Sequence, residues 1–262
     1  MDRTTRTGQS SGHEPDAGAP VIEQLAGVAI ASEGPAGGWR VERATGTAQQ
    51  LHDAPVGFER RLVRVHHLRD TAVVLGSTQA ETLVDRAAAG RAGVTVARRR
   101  SGGGAVHLSP AGAVWIDLVV PADDPLWNDD VGRASWWLGD CWAAALGPAG
   151  TAEPTVHRGA VSDRVLARIA CFAALGPGEV EIAGRKVVGI SQRRTRLGAR
   201  FQCVAYTHWD PEPMLALLRM ESDAPRVEHA LRTAAGPVPA RSGEGGRSDG
   251  WSVVEDLLRS LP

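Results

Sequence analysis

The chain has 262 residues and a nearly balanced charge, 29 lysines and arginines against 30 aspartates and glutamates. That length supports one large or two small domains with a proper core, and the balance speaks against general binding to nucleic acid or another polyanion. No segment approaches the roughly 18 consecutive apolar residues of a membrane span. Residues 1–20 contain no apolar segment and read as a disordered tail, not a signal peptide. The cysteines, Cys141, Cys171 and Cys203, show no CxxC spacing. They make neither a disulfide framework nor a zinc site, and the expected compartment is the reducing cytoplasm.

Residues 21–60 are weakly patterned, with a short helix expected over 47–54. Segments 62–68 and 71–75 read as strands. His66 and His67 are adjacent on the first of these, so their side chains point to opposite faces and cannot share a metal ion. A short helix is expected over 81–89, ended by Gly90, and a strand over 94–98. Residues 114–120 alternate like a half-buried strand, expected to pair antiparallel with 94–98. A helix capped by Asn128 or Asp129 carries Val131, Ala134, Leu138, Cys141, Trp142 and Ala145 on its apolar side and ends at Gly147. Strands are expected over 168–173, 179–182, 186–192 and 200–206, the middle pair joined by a two-residue turn at Ala183-Gly184. Helices are expected over 211–220 and 251–261. Between them, residues 221–250 read as a loose connection, Gly/Ser-rich from Ser242. The domain plan is therefore a tail (1–20), one catalytic domain (21–220), and a loop with a terminal helix packed on it (221–262).

Two features stand out. Arg98-Arg99-Arg100-Ser101-Gly102-Gly103-Gly104-Ala105-Val106 runs three arginines into three glycines. A glycine triplet costs backbone entropy and packs nothing, so a backbone or ligand must come close. Its N–H groups can form an anion-binding concavity, although a solvated hairpin tip fits the same residues. It is not a P-loop, since no Gly-Lys-Ser/Thr follows. Secondly, the chain holds a single lysine, Lys186. Where arginine serves every other cationic position, a lone lysine is a candidate for a task that a permanently charged guanidinium cannot perform.

Together, Arg99-Arg100-Ser101-Gly102-Gly103-Gly104-Ala105-Val106 and Gly184-Arg185-Lys186-Val187-Val188-Gly189-Ile190-Ser191-Gln192 resemble the biotin/lipoate A/B protein ligase family, over approximately residues 45–220. The resemblance implies a mixed α+β fold, its sheets largely antiparallel and flanked by helices, as in biotin ligase catalytic domains and class II synthetases. It implies that the glycine segment (Arg99 to Val106), with Gly189 and Ser191, lines the acyl groove and that Lys186 meets the reacting carbonyl.

Two chemistries occur among such proteins. Ligases use lipoate, ATP and Mg to make an acyl-adenylate and pass the acyl group to a lysine of a lipoyl carrier domain. Transferases take octanoyl from acyl carrier protein, or an acyl group from another carrier domain, through a cysteine thioester and need no cofactor. In ligase-like cysteine transferases a Cys-Phe pair lies fifteen residues before the motif lysine, as Cys171-Phe172 does here. A nearby cation favours the reactive thiolate, whereas a free cysteine by itself is more commonly a buried structural thiol. The chain departs from the ligase pattern in having His107-Leu108-Ser109-Pro110 where an apolar residue and His-Asp are usual. It also has Phe201-Gln202-Cys203 where a histidine is usual. The resulting expectation is an octanoyl or lipoyl transferase acting through Cys171 and Lys186. The alternatives are an ATP-dependent lipoate–protein ligase and a relative that binds acyl groups or carrier domains without turnover. No nucleic acid, membrane or resident metal is expected.

Overall fold

The computed structural model describes residues 22–25, 28–36, 38–148, 152–239 and 250–262. The expected tail and most of the Gly/Ser-rich stretch lie outside the described residues. In chain order the elements are β1 (Ile22–Leu25), β2 (Val28–Ala36), β3 (Trp39–Gly46), α1 (Ala48–Asp53), β4 (Leu62–Leu68), β5 (Thr71–Leu75), α2 (Arg86–Arg91), β6 (Val94–Arg98), β7 (Val106–Leu108) and β8 (Ala113–Pro121). There follow α3 (Trp136–Leu146), β9 (Pro154–Val156), α4 (Arg164–Ile169), β10 (Val180–Ile182), β11 (Arg185–Arg194), β12 (Gly198–Tyr206), α5 (Glu212–Leu215), α6 (Ala224–Thr233) and α7 (Gly250–Ser260). A nine-stranded sheet runs β1-β2-β3-β4-β8-β12-β11-β10-β9, antiparallel except between β3 and β4. A second sheet, β6-β5-β7, packs over its centre. The fold is mixed α+β, with antiparallel pairing dominant, as expected.

Alternation along the central strands separates two cores. Ile116 and Leu118 of β8 and Phe201 and Cys203 of β12 face α3 and α7, with Trp142 and Leu257. Trp115 of β8 and Val204 and Tyr206 of β12 face the small sheet, with Val73 and Leu75. Strand β8 is thus buried on both faces instead of half-buried. It pairs with β4 and β12, not with 94–98, which instead pairs parallel with β5. The alternation of residues 114–120 reflects two apolar layers and not a wet side.

Other elements shift for local reasons. Residues 168–173 are not a strand: Asp163 accepts from the N–H groups of Val165 and Leu166 and starts α4, which a 3-10 turn at Cys171–Ala173 follows. Helix α3 begins at Trp136, not near Asn128, and Val131 is exposed. The 81–89 helix divides into a 3-10 turn (Glu81–Leu83) and α2. Of 211–220 only Glu212–Leu215 is α-helical, and the connection after 221 contains α6. The β10–β11 turn forms as expected, with positive φ at Ala183 and Gly184; both central residues left-handed is the type I′ geometry that suits a two-residue hairpin.

A polar row crosses the large sheet beneath the small one. Glu42, Arg64, Asp117, Gln202 and Ser191 are register neighbours on β3, β4, β8, β12 and β11. Arg64 donates to Glu42 at 2.8 and 2.9 Å. The fully buried Asp117 accepts from Trp115 Nε1 at 2.9 Å and Arg200 Nε at 2.7 Å, with His66 Nε2 at 2.9 Å. Burial opposes its ionisation, but Arg200 and His66 outweigh that and hold the carboxyl far below the usual range. Arg200 also donates to Leu51 O and Ala54 O, closing the C-terminal end of α1. At its other end α1 has a capping box: the Thr47 side chain accepts from Gln50 N, and Gln50 Oε1 accepts from Thr47 N. His52 and His66 stack on Trp115 at 4.3 and 4.1 Å. Burial is the largest cause lowering both rings, only partly offset by Asp117.

These rings are neutral in the fold and gain protons on unfolding as pH drops. Their contribution to stability is complete above the ordinary histidine range, near pH 6.5, and is lost as pH falls toward their lowered folded values. Each ring adds a slope of at most about 1.4 kcal/mol per pH unit below that point. Urea midpoints should therefore fall steadily from pH 7 to pH 5, and less steeply in His52→Leu. A flat midpoint over that range, or equal slopes in both proteins, would contradict this assignment.

Candidate functional site

The glycine turn and the Cys171 turn are held together by backbone. Ala105 N donates to Ile169 O at 2.9 Å, and Cys171 N donates to Ala105 O at 2.8 Å. Gly104 lies between them: a Cβ there would stand 2.6 Å from Ala170 N and C and 2.7 Å from Ala167 O. Gly103 has φ +95°, and its carbonyl oxygen would be 2.0 Å from a Cβ on Gly76. The triplet is therefore a place where three backbone segments meet, the steric reason anticipated for it.

Lys186 approaches from the large sheet. A bulge sits at this point of the β10–β11 pair, Glu181 facing Lys186 while Val180 faces Val188. The backbone of Lys186 is also bonded to Ala234 O and Gly236 N. Its side chain is 2% exposed. Nζ lies 2.6 Å from Cys171 O, 3.0 Å from Ala174 O, 2.6 Å from Glu179 Oε2 and 3.8 Å from Cys171 Sγ. Cys171 and Lys186 thus converge, from a 3-10 turn and a strand, whereas both segments read as strands in the sequence. Phe172 anchors the thiol's turn by packing on Tyr206 and Trp209 at 4.9 and 5.2 Å. Gly189 leaves room for the thiol: a Cβ would lie 3.3 Å from Sγ and 3.1 Å from Phe172.

The other expected residues divide. Arg99 is buried with its guanidinium inside the turn, Nη2 donating to Gly102 O and Gly104 O at 2.8 Å each. It templates the loop from within. Arg100 is exposed and lies 3.9 Å from Asp53, bordering neither cleft at the thiol. Ser101 is buried; it donates to Gln202 Oε1 at 2.9 Å and lies 3.0 Å from Ser191 Oγ, so Ser191 is the donor of that pair. The polar row of the sheet thereby ends at the glycine turn. The N–H groups of Gly102, Gly103 and Gly104 meet no protein acceptor among the described residues. Val106 is buried behind them. His107 borders neither cleft at the thiol; its carbonyl accepts from Tyr206 at 2.6 Å, and burial lowers the ring from its ordinary range.

Cys171 borders two clefts. The outer one, about 390 Å³, is bounded by Gly102–Gly104, Lys186, Glu179 and the apolar Val131, Val161 and Ile190. The inner one is lined by Val106, Leu108, Trp115, Gly189 and Val204, with His52 and Gln202. It holds about 20 Å³ of free space, room for roughly one water. Gln202 Nε2 lies 3.2 Å from His52 Nδ1. On the neutral ring, Nδ1 accepts there and the buried Nε2 carries the proton.

Two residues of the site carry no functional signal in the sequence. Glu179 reads only as the start of a strand, and His52 only as part of a helix. Nothing local marks either one; each acquires its place through contacts made by distant segments. No cluster of three or more metal-ligating side chains occurs among the described residues, nor does a helix long and apolar enough to cross a membrane.

This arrangement can be set beside known proteins. Among solved structures, the chain is similar to a bi-partite lipoate protein ligase from Thermoplasma acidophilum, studied with its E2 lipoyl domain. The TM-score is 0.58 and the identity 18%, covering 77% of this chain and 70% of that one. Lipoate-protein ligase A bound with ATP gives TM-score 0.57 and 19% identity over 77% and 71% of the two chains. The Thermoplasma acidophilum protein Ta0514 with bound lipoic acid gives 0.56 and 16% over 80% and 74%. At these identities the likeness is one of fold. No curated protein matches the chain in sequence. The lipoyl protein ligase A/B catalytic domain, as a family profile, matches residues 48–233, spanning both motifs, Cys171 and Glu179. The chain belongs to this family of protein-lipoylating enzymes.

Proposed function

We propose that the protein transfers an octanoyl or lipoyl group to the lysine of a lipoyl carrier domain through a thioester on Cys171, assisted by Lys186. The observation that carries this reading is the 3.8 Å approach of Cys171 Sγ to the buried Lys186 Nζ beside the glycine turn. In the first step Cys171 sulfur attacks the thioester of an acyl donor such as octanoyl-acyl carrier protein. Its S–C bond forms, the donor's breaks, and the thiol's proton passes to the departing donor sulfur. In the second step the carrier lysine's amine forms the amide, the Cys171 S–C bond breaks, and one proton moves from nitrogen to sulfur.

The two clefts suit this sequence, because chain and attacking amine need separate approaches to one sulfur. The inner cleft supplies apolar walls for the acyl chain and must widen to admit it. The outer, open cleft admits the carrier lysine. The N–H groups of Gly102 to Gly104, which border the outer cleft without a protein acceptor among the described residues, would serve as donors to the oxyanion of either step, a contribution of about 3 kcal/mol for one donor in comparable sites.

An ATP-dependent ligase is the second reading, favoured by the likeness to a lipoate-protein ligase bound with ATP. There the same lysine and glycine turn would meet lipoate and its adenylate, with Mg, and Cys171 would be dispensable. The cytoplasm, where acyl donors and carrier domains meet reduced thiols, is the compartment that fits both.

Incubation with octanoyl-acyl carrier protein should add one octanoyl mass, removable by hydroxylamine and absent in Cys171→Ala. Lipoate-dependent exchange of pyrophosphate into ATP that survives Cys171→Ala but not Lys186→Ala would select the ligase instead. Binding of acyl groups or a lipoyl domain with neither reaction would leave a non-catalytic relative.

A further inference from the structure

The donors of the chain's only lysine are saturated at rest. An ammonium has three N–H groups, and Lys186 Nζ has three oxygen partners: Cys171 O, Ala174 O and Glu179 Oε2. The sulfur at 3.8 Å is a fourth neighbour with no N–H left for it. Two of the oxygens are neutral carbonyls on the Cys171 turn. Glu179 alone supplies an opposite charge, which a buried ammonium requires.

Glu179 is itself fixed. It is 4% exposed, its Oε2 accepts from Gly176 N at 2.6 Å, and its Oε1 accepts from Ile190 N at 3.0 Å. Gly176 lies a few residues beyond Cys171, and Ile190 follows the Gly189 that makes room for Sγ. The carboxylate therefore ties the thiol's segment, β11 and the ammonium into one unit on the wall of the outer cleft.

We infer that Glu179 is a positioning residue for acyl transfer, holding the Lys186 ammonium charged and aimed while it exchanges a carbonyl contact for the reacting sulfur. This rests on the acyl-transfer reading. As the thioester's C–S bond breaks and the C–N bond forms, Lys186 gives a proton to the leaving sulfur and takes one from the attacking amine. Glu179 stays a carboxylate throughout and keeps the lysine ready to be reprotonated. The arrangement follows the logic of a nucleophile, a proton carrier and an orienting acid. If the acyl group arrives as an adenylate, Glu179 holds the same lysine toward that carbonyl.

The test compares wild type, Glu179→Gln and Glu179→Asp as full chains, with melting midpoints recorded. Single-turnover loading from octanoyl-acyl carrier protein and chase to a lipoyl domain are measured against donor concentration. Should wild type load only from lipoate and ATP, that reaction is measured instead. Glu179→Gln should lose about 10²-fold in rate, the scale of a positioned proton transfer, with half-saturation within about threefold. Glu179→Asp, which keeps the charge, should recover about tenfold of that loss. If Glu179→Gln melts early, Glu179→Asp decides: a rate about tenfold below wild type at similar half-saturation supports the role, and an unchanged rate overturns it. An unimpaired Glu179→Gln overturns the inference alone. So does a parallel loss of rate and donor binding with no recovery by aspartate. A wild type inactive in both reactions overturns the acyl-transfer reading along with it.

Discussion

The site depends on one close backbone approach. The short parallel bridge between Ala105 and Ala170 forms only because position 104 carries no side chain. Any Cβ there would stand inside the carbonyl and amide of the opposing turn, where the obstructing atoms are backbone and cannot rotate aside. This contact joins a loop rising from the small sheet to the turn that carries the thiol. Without it Cys171 would have no fixed relation to the N–H groups of Gly102 to Gly104. Arg99 reinforces the loop from inside by bridging the carbonyls of Gly102 and Gly104.

A second constraint is electrostatic. The large sheet presents a buried polar row to the small one, and that row ends where Ser191 and Ser101 meet under the glycine turn. Two residues along on the same face, the apolar row of Trp115, Val204 and Gly189 ends at Cys171. The polar row fixes register with paired, satisfied groups; the apolar row leaves a narrow greasy floor. Beside that floor the ammonium of Lys186 lies 3.8 Å from the thiol, and its charge is balanced by Glu179. An arginine in its place would present a broad planar fork where a compact ammonium fits between two carbonyls and a carboxylate.

Much of this was legible in the residues. The triple glycine announces a close approach, and the solitary lysine in an arginine-rich chain announces a special task; the Cys-Phe spacing links the two motifs. Period-two alternation places β4, β5, β8, β11 and β12 to within a few residues. What it cannot reveal is which strands are neighbours, so residues 94–98 are assigned to the wrong partner. Residues 168–173 are a short, mostly apolar run that reads as a strand, whereas the signals for the helix lie before it: Asp163 as a cap, and Arg164 and Arg168 four residues apart around Val165-Leu166-Ala167. Glu179 and His52 are ordinary in their local context. Their importance comes from β11, the Cys171 turn and β12 folding around them.

The central claim is that the thiol of Cys171 and the amine of Lys186 share one solvent-reachable site. Ortho-phthalaldehyde tests it directly, since it joins an amine and a thiol a few ångströms apart as a fluorescent isoindole. Lys186 is the only lysine in the chain, so a bridge can be located by peptide mass without ambiguity. The structure predicts one isoindole linking the peptides of Cys171 and Lys186, lost in Cys171→Ala and in Lys186→Arg. A bridge from Lys186 to Cys141 or Cys203, or none in the folded wild-type protein, would contradict the account.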